Sequence, residues 1–159
     1  MKKFIPLLGF LFIVFLISGI SSSITMPAVQ GWYKTINKSV LNPPDWIFAP
    51  VWTTLYIMIA ISGWLVWNKL GDDFYKKASS PQIKIYSLQL LANFIWSIIF
   101  FGMQNPKAAF AEILLLLTLI ILNIRSFRKI SKTASYLLIP YLLWVSFATY
   151  LNGTIAILN

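Results

Sequence analysis

Three series of residues in this chain are spaced to face a ligand together. Gln89, Asn93 and Ser97 recur every four residues, with Trp96 beside Ser97. Trp52, Tyr56, Ile59 and Gly63 form a second series, and Tyr141, Trp144, Ala148 and Asn152 a third. At 3.6 residues per turn each series falls on one face of a helix. The chemistry on offer is ring stacking and hydrogen bonding. An amide in an apolar interior is costly until it finds a partner, so Asn93 is expected to point inward. A single buried Asn taken alone is better read as interhelical glue. Three aromatic and polar faces together point to a cavity with flat walls and a small floor at Ala148 and Gly63, suited to a planar, mostly apolar ligand.

Other chemistry is narrow. The chain has no Cys, so it offers no thiolate nucleophile, disulfide or zinc thiolate site. It has no His, hence no imidazole base or metal ligand. Neither a metal nor a cofactor is expected. Four acids remain, and Asp72 and Asp73 are adjacent. Glu112 alone stands within a predicted span; a packing or interfacial role competes with proton relay.

The elements that must carry these faces follow from composition. Of 159 residues, 58% are hydrophobic and 11% charged, where a soluble domain carries about 25% charged residues. The mean hydropathy is +0.76. Five apolar stretches approach the roughly 20 residues that cross a bilayer, at about 4–24, 50–67, 83–101, 108–124 and 136–158. Their apolar positions are continuous rather than alternating, which favours helices over a membrane barrel. The fold class is thus an all-α membrane protein, a bundle of five transmembrane helices in one domain over 1–159. Lys2, Lys3, the apolar run and Ser21-Ser22-Ser23 also suit a signal peptide, but the run is too long and lacks a clear cleavage site. A retained first helix is the better reading.

The net charge of +9 does not point to nucleic acid, because the bases sit singly or in pairs at the ends of apolar runs. Ten bases (Lys2, Lys3, Lys69, Lys76, Lys77, Lys84, Arg125, Arg128, Lys129, Lys132) fall on one predicted side and three (Lys34, Lys38, Lys107) on the other. In a cell membrane this bias puts the N-terminus in the cytoplasm and the C-terminus outside. The first loop, about 26–49, is the longest and holds Trp32, Tyr33, Trp46 and Phe48 with Pro27, Pro43 and Pro44. Prolines stiffen such a segment. An interfacial aromatic belt and a lid over the bundle both account for it.

The run Trp32-Tyr33, then Pro43-Pro44-Asp45-Trp46-Ile47-Phe48-Ala49-Pro50-Val51-Trp52-Thr53 and Leu55-Tyr56, resembles the translocator-protein family. Its bacterial members are called tryptophan-rich sensory proteins, and its mammalian member was long known as the peripheral benzodiazepine receptor. Gln89-Leu90-Leu91-Ala92-Asn93-Phe94-Ile95-Trp96-Ser97 is similar to the family's third-helix motif. Pro140-Tyr141-Leu142-Leu143-Trp144-Val145-Ser146-Phe147-Ala148-Thr149, with Leu151-Asn152, is similar to its fifth.

The resemblance implies a five-helix bundle, often a homodimer among membrane lipid, whose cavity is closed by the first loop. It implies binding of porphyrins such as protoporphyrin IX and of isoquinoline carboxamide or benzodiazepine ligands. By motif, the cavity would include Tyr33, Pro43, Phe48, Trp52, Tyr56, Asn93, Trp96, Ser97, Trp144 and Ala148. Trp52 and Trp144 are the indoles that the family links to light- and oxygen-dependent porphyrin breakdown. With no conventional acid–base pair, any enzymatic activity is confined to that slow process. Transport of tetrapyrroles or other amphipathic solutes is the rival function, and no sequence repeat supports it. Two departures from the family stand out: no base follows Lys132 to complete a C-terminal sterol motif, and Ala92 is followed by Trp96 where some bacterial members carry small residues four apart for dimer contact.

Overall fold

The computed structural model describes residues 4–159. Helices α1 (Ile5–Gln30), α2 (Trp32–Thr35), α3 (Phe48–Trp67), α4 (Phe74–Ala78), α5 (Pro81–Ser97), α6 (Pro106–Arg128), α7 (Lys132–Leu137) and α8 (Ile139–Leu158) follow one another, and no strand occurs among the described residues. Five segments are long and apolar enough to cross a membrane: Ile5–Thr35, Asp45–Trp67, Pro81–Gly102, Pro106–Arg128 and Lys132–Leu158. The protein is an integral, multi-pass helical bundle.

Helix starts are written locally. Ser80, Asn105 and Ser131 each accept a hydrogen bond from the backbone N–H three residues on, and Pro81 and Pro106 take the first helical position after two of these caps. These caps lengthen the third and fourth spans beyond the bounds of the apolar runs. A 3-10 turn over Asp45–Ile47 leads into α3, and a π-helical turn over Ile98–Gly102 ends α5.

The largest departure from the sequence reading is at α1. It runs straight through Pro27 to Gln30, so the first loop starts later than residue 26. Proline removes one ladder bond, and helices in an apolar bundle tolerate that loss. At 1.5 Å per residue its 26 residues reach about 39 Å, past the roughly 30 Å hydrocarbon layer. The added turns become a wall of the site.

The core lies between α3, α5, α6 and α8, with α1 laid against α3. Tyr86 stacks on Phe127 at 5.9 Å, and Phe10 of α1 meets the Tyr86 edge at 5.6 Å. Gly63 sits at this crossing: a Cβ there would come within 2.8 Å of the Phe10 and Tyr86 rings. Gly63 is therefore a packing residue of the α1–α3–α5 crossing, and the expected cavity floor at Gly63 is not found. Ser62 Oγ donates to Ala134 O at 2.7 Å and ties α3 to α7.

Ring and amide contacts place the ends. Phe4 stacks on Trp64, so the start of α1 and the end of α3 lie at one end of the bundle. At the other end, Asn37 N donates to Asn159 Oδ1 and Asn159 Nδ2 donates back to Asn37 O, both at 3.0 Å. The first loop and the end of α8 thus share one end, opposite the start of α1.

Candidate ligand cavity

A cavity of about 470 Å³ opens at the end of the bundle that carries the first loop. That lies within the 300–1,000 Å³ typical of small-molecule sites. Phe48, Trp52 and Tyr56 of α3, Asn93, Trp96 and Ser97 of α5, and Trp144 and Ala148 of α8 line it, with Tyr33 of α2 from the first connection. Nine of the ten positions expected to bind ligand are brought together. The tenth, Pro43, does not line the cavity; its carbonyl accepts from Asn42 Nδ2 at 3.1 Å, within the loop above.

Each wall residue is positioned by a partner. Tyr56 O–H donates to Asn93 Oδ1 at 2.8 Å, joining α3 to α5. Trp96 Nε1 donates to Asn152 Oδ1 at 3.0 Å, while Asn152 Nδ2 donates to Pro106 O at 2.8 Å. This relay fixes the Trp96 ring, which also stacks on Phe100 at 5.1 Å. Phe48 meets the Trp144 ring edge-on at 5.9 Å, so the entrance of α3 closes on α8. Tyr56 and Asn93 are almost wholly buried, whereas Trp52, Trp96 and Trp144 keep part of their rings exposed to the cavity.

The polar faces are split by the packing. Gln89 and Tyr141 lie deeper than the cavity: Gln89 is fully buried with neither amide atom paired, and the Tyr141 ring meets the edge of Trp52 at 6.3 Å. Glu112 is half-buried on α6, with Oε2 unpartnered, and does not reach the cavity. Ala92 faces the chain's own core.

Above the cavity the first connection is a structured lid. Tyr33 O–H donates to Asn42 Oδ1 at 2.7 Å, and the Lys38 ammonium bonds Tyr33 O while sitting 4.7 Å over the Tyr33 ring. Ser39 Oγ and Tyr150 O–H lie 3.0 Å apart, and the Asn37–Asn159 pair completes the attachment to α8. A belt of independent interfacial rings would not need these ties. The lid reading accounts for them.

The sequence reading missed one whole wall. Ser18, Ser21, Ser22, Thr25, Met26 and Val29 of α1 line the cavity, as do Phe100 and Phe101 of the π-helical turn. Ser21 and Ser22 also suit a signal peptide; the spacing of Ser18, Ser21, Ser22 and Thr25 is the signal that marks them as one helix face. Lys34, Asp45 and Trp46 stand at the mouth. Among the described residues no group of three or more acids gathers as a metal site. The arrangement can hold a flat ring system between indoles and offer it a few hydrogen bonds.

The same segments carry the likeness to known proteins. Residues 10–158 match the profile of the TspO/MBR family. The chain is 44% identical over 142 residues to the tryptophan-rich protein TspO of Chlorobaculum tepidum, covering 89% of this chain and 88% of that one. It is 37% identical over 121 residues to the human translocator protein, covering 76% and 70%. With the tryptophan-rich sensory protein of Cereibacter sphaeroides it shares 31% over 121 residues, covering 76% and 72%. A five-span bundle with an aromatic cavity under a proline-rich lid, and a family match running through every span, lead to one conclusion: the chain belongs to the TspO/MBR family.

Proposed function

We propose that this protein is a membrane receptor that binds porphyrins of the protoporphyrin IX type, and smaller planar ligands such as isoquinoline carboxamides and benzodiazepines, in the cavity beneath its lid. The observation that carries this reading is the convergence of Trp52, Trp96 and Trp144 on one 470 Å³ space. Stacking on a flat ring needs apolar faces held apart at a fixed spacing. The Tyr56–Asn93 and Trp96–Asn152 bonds supply that rigidity. Family membership supports a sensor or receptor role, and the charge bias supports a cell-membrane location with a cytoplasmic N-terminus.

Light-dependent breakdown of a bound porphyrin is part of the same proposal. An excited porphyrin passes energy to dioxygen. The singlet oxygen formed adds across a methine-bridge double bond of the macrocycle, whose carbon–carbon bond then cleaves to leave two carbonyls. Dioxygen is the oxidant, and both its atoms stay in the product. The family resemblance assigns the neighbouring indoles Trp52 and Trp144 to this process. The test is a tryptophan-fluorescence titration of the purified protein with protoporphyrin IX, first in the dark and then under illumination. Saturable quenching supports binding, and loss of the porphyrin absorption under light supports breakdown. Absence of saturable quenching overturns the receptor reading.

A further inference from the structure

The cavity has an indole side and a hydroxyl side. Across from Trp144, helix α1 presents Ser18, Ser21, Ser22 and Thr25 on one face. Hydroxyls in membrane helices usually fold back onto their own backbone, and here Thr53, Thr118 and Ser146 do so, bonding Ala49 O, Leu114 O and Leu142 O at 2.8–2.9 Å. Ser21 does not. The residue is 7% exposed and borders the cavity, while its hydroxyl oxygen is sealed from solvent and has no hydrogen-bond partner. A buried hydroxyl left unpaired is costly, and helix α1 could have carried Ala there at no loss of helix propensity. Further along the same wall Lys34 stands at the mouth, and among the described residues the only ion pair joins Lys76 to Asp73. This wall is rich in donors, and the acid at the mouth, Asp45, belongs to the turn before α3.

We propose that this hydroxyl face of α1, centred on Ser21, is the subsite that receives the hydrogen-bond-accepting edge of the ligand, so that the site selects planar rings bearing a carboxylate or carbonyl edge over purely alkyl ones. The proposal rests on the porphyrin reading above. It divides the labour of the cavity: the indoles of α3, α5 and α8 hold the ring face, and Ser21, by a turn about χ1 that brings Oγ out of its sealed position, donates to the edge. The ligand then enters in one orientation, with its polar edge toward α1 and the lid.

The test compares two probes of the same macrocycle, protoporphyrin IX with two carboxylates and etioporphyrin with alkyl substituents alone. Both are titrated by tryptophan quenching into wild type, Ser21→Ala and Ser21→Cys. The Cys variant keeps the shape of Ser, slightly enlarged, with a much weaker donor, and it keeps the test open if the Ala variant does not fold. Wild type is expected to bind protoporphyrin IX at least fivefold more tightly than etioporphyrin. Both variants are expected to lose most of that preference while binding etioporphyrin as wild type does. Equal affinity of wild type for the two probes, equal loss for both probes in the variants, or unchanged preference would overturn the subsite and leave the porphyrin reading standing. Wild type binding neither probe would overturn both.

Discussion

The hydroxyl of Tyr56 donates to Oδ1 of Asn93 at 2.8 Å, across the gap between α3 and α5 and at the inner end of the cavity. Both side chains are more than nine-tenths buried. Asn93 is thus both a cavity residue and a strut, and removing it affects the fold as well as the ligand. Asn93→Leu leaves the Tyr56 hydroxyl buried and unpaired, at about 1–3 kcal/mol. Tyr56→Phe in the same chain is expected to recover part of that loss, with a coupling of about 0.6–1.7 kcal/mol. Thermal unfolding of the two single variants and the double variant in detergent measures this cycle. Strict additivity would show that the bond contributes nothing.

Trp144→Phe separates stacking from oxidation. An aromatic wall remains against Phe48, but the indole N–H and the readily oxidised ring are gone. The protein is expected to fold and to bind protoporphyrin IX within tenfold of wild type, at most about 1.4 kcal/mol. Under illumination it is expected to lose its porphyrin absorption more slowly. Unchanged photolysis would remove Trp144 from the account.

Gly63→Val probes the crossing of α1 over α3. The first added atom meets the Phe10 and Tyr86 rings at 2.8 Å. Overpacking of this kind costs about 1–3 kcal/mol. A lowered unfolding temperature with porphyrin affinity preserved in the remaining folded protein is the expected outcome, because Gly63 does not line the cavity.

The lid is held to α8 by the reciprocal Asn37–Asn159 bonds. Asn159→Ala removes both. At about 0.5–1 kcal/mol for each of these two exposed bonds, a loosening of about 1–2 kcal/mol corresponds to roughly five- to thirtyfold faster ligand release. Stopped-flow displacement measures the release rate. A rate equal to that of wild type would mean that the lid does not gate the site.

What the sequence made legible was the part governed by periodicity and composition. Trp52 and Tyr56, Asn93 and Trp96, Trp144 and Ala148 are close neighbours on single helices, so helical spacing alone groups them. The family resemblance then joined the three groups. What stayed hidden depends on which helix lies opposite which. The hydroxyl face from Ser18 to Thr25 marks one side of α1 but not which helices it meets, and Pro27 marks a helix end by its usual preference although α1 continues beyond it. Gly63 shares a face with Tyr56, yet the approach of Phe10, set by tertiary packing, takes it out of the site. Pro43 lies in a loop whose path is fixed by bonds between groups apart in the chain, such as Tyr33 to Asn42 and Asn37 to Asn159.

The central claim is that ligand binds in the space bounded by the three indoles and Ala148. Its most direct test is the titration of Ala148→Phe with protoporphyrin IX, beside wild type, by tryptophan quenching. The added ring occupies the cavity from α8 while leaving the Tyr56–Asn93 strut and the lid bonds in place, so helical content and detergent stability are expected to stay near wild type. The account predicts saturable quenching in wild type and its loss, by at least tenfold in affinity, in Ala148→Phe. Saturable quenching of equal affinity in a folded Ala148→Phe protein would contradict it, and would place the bound porphyrin outside this cavity.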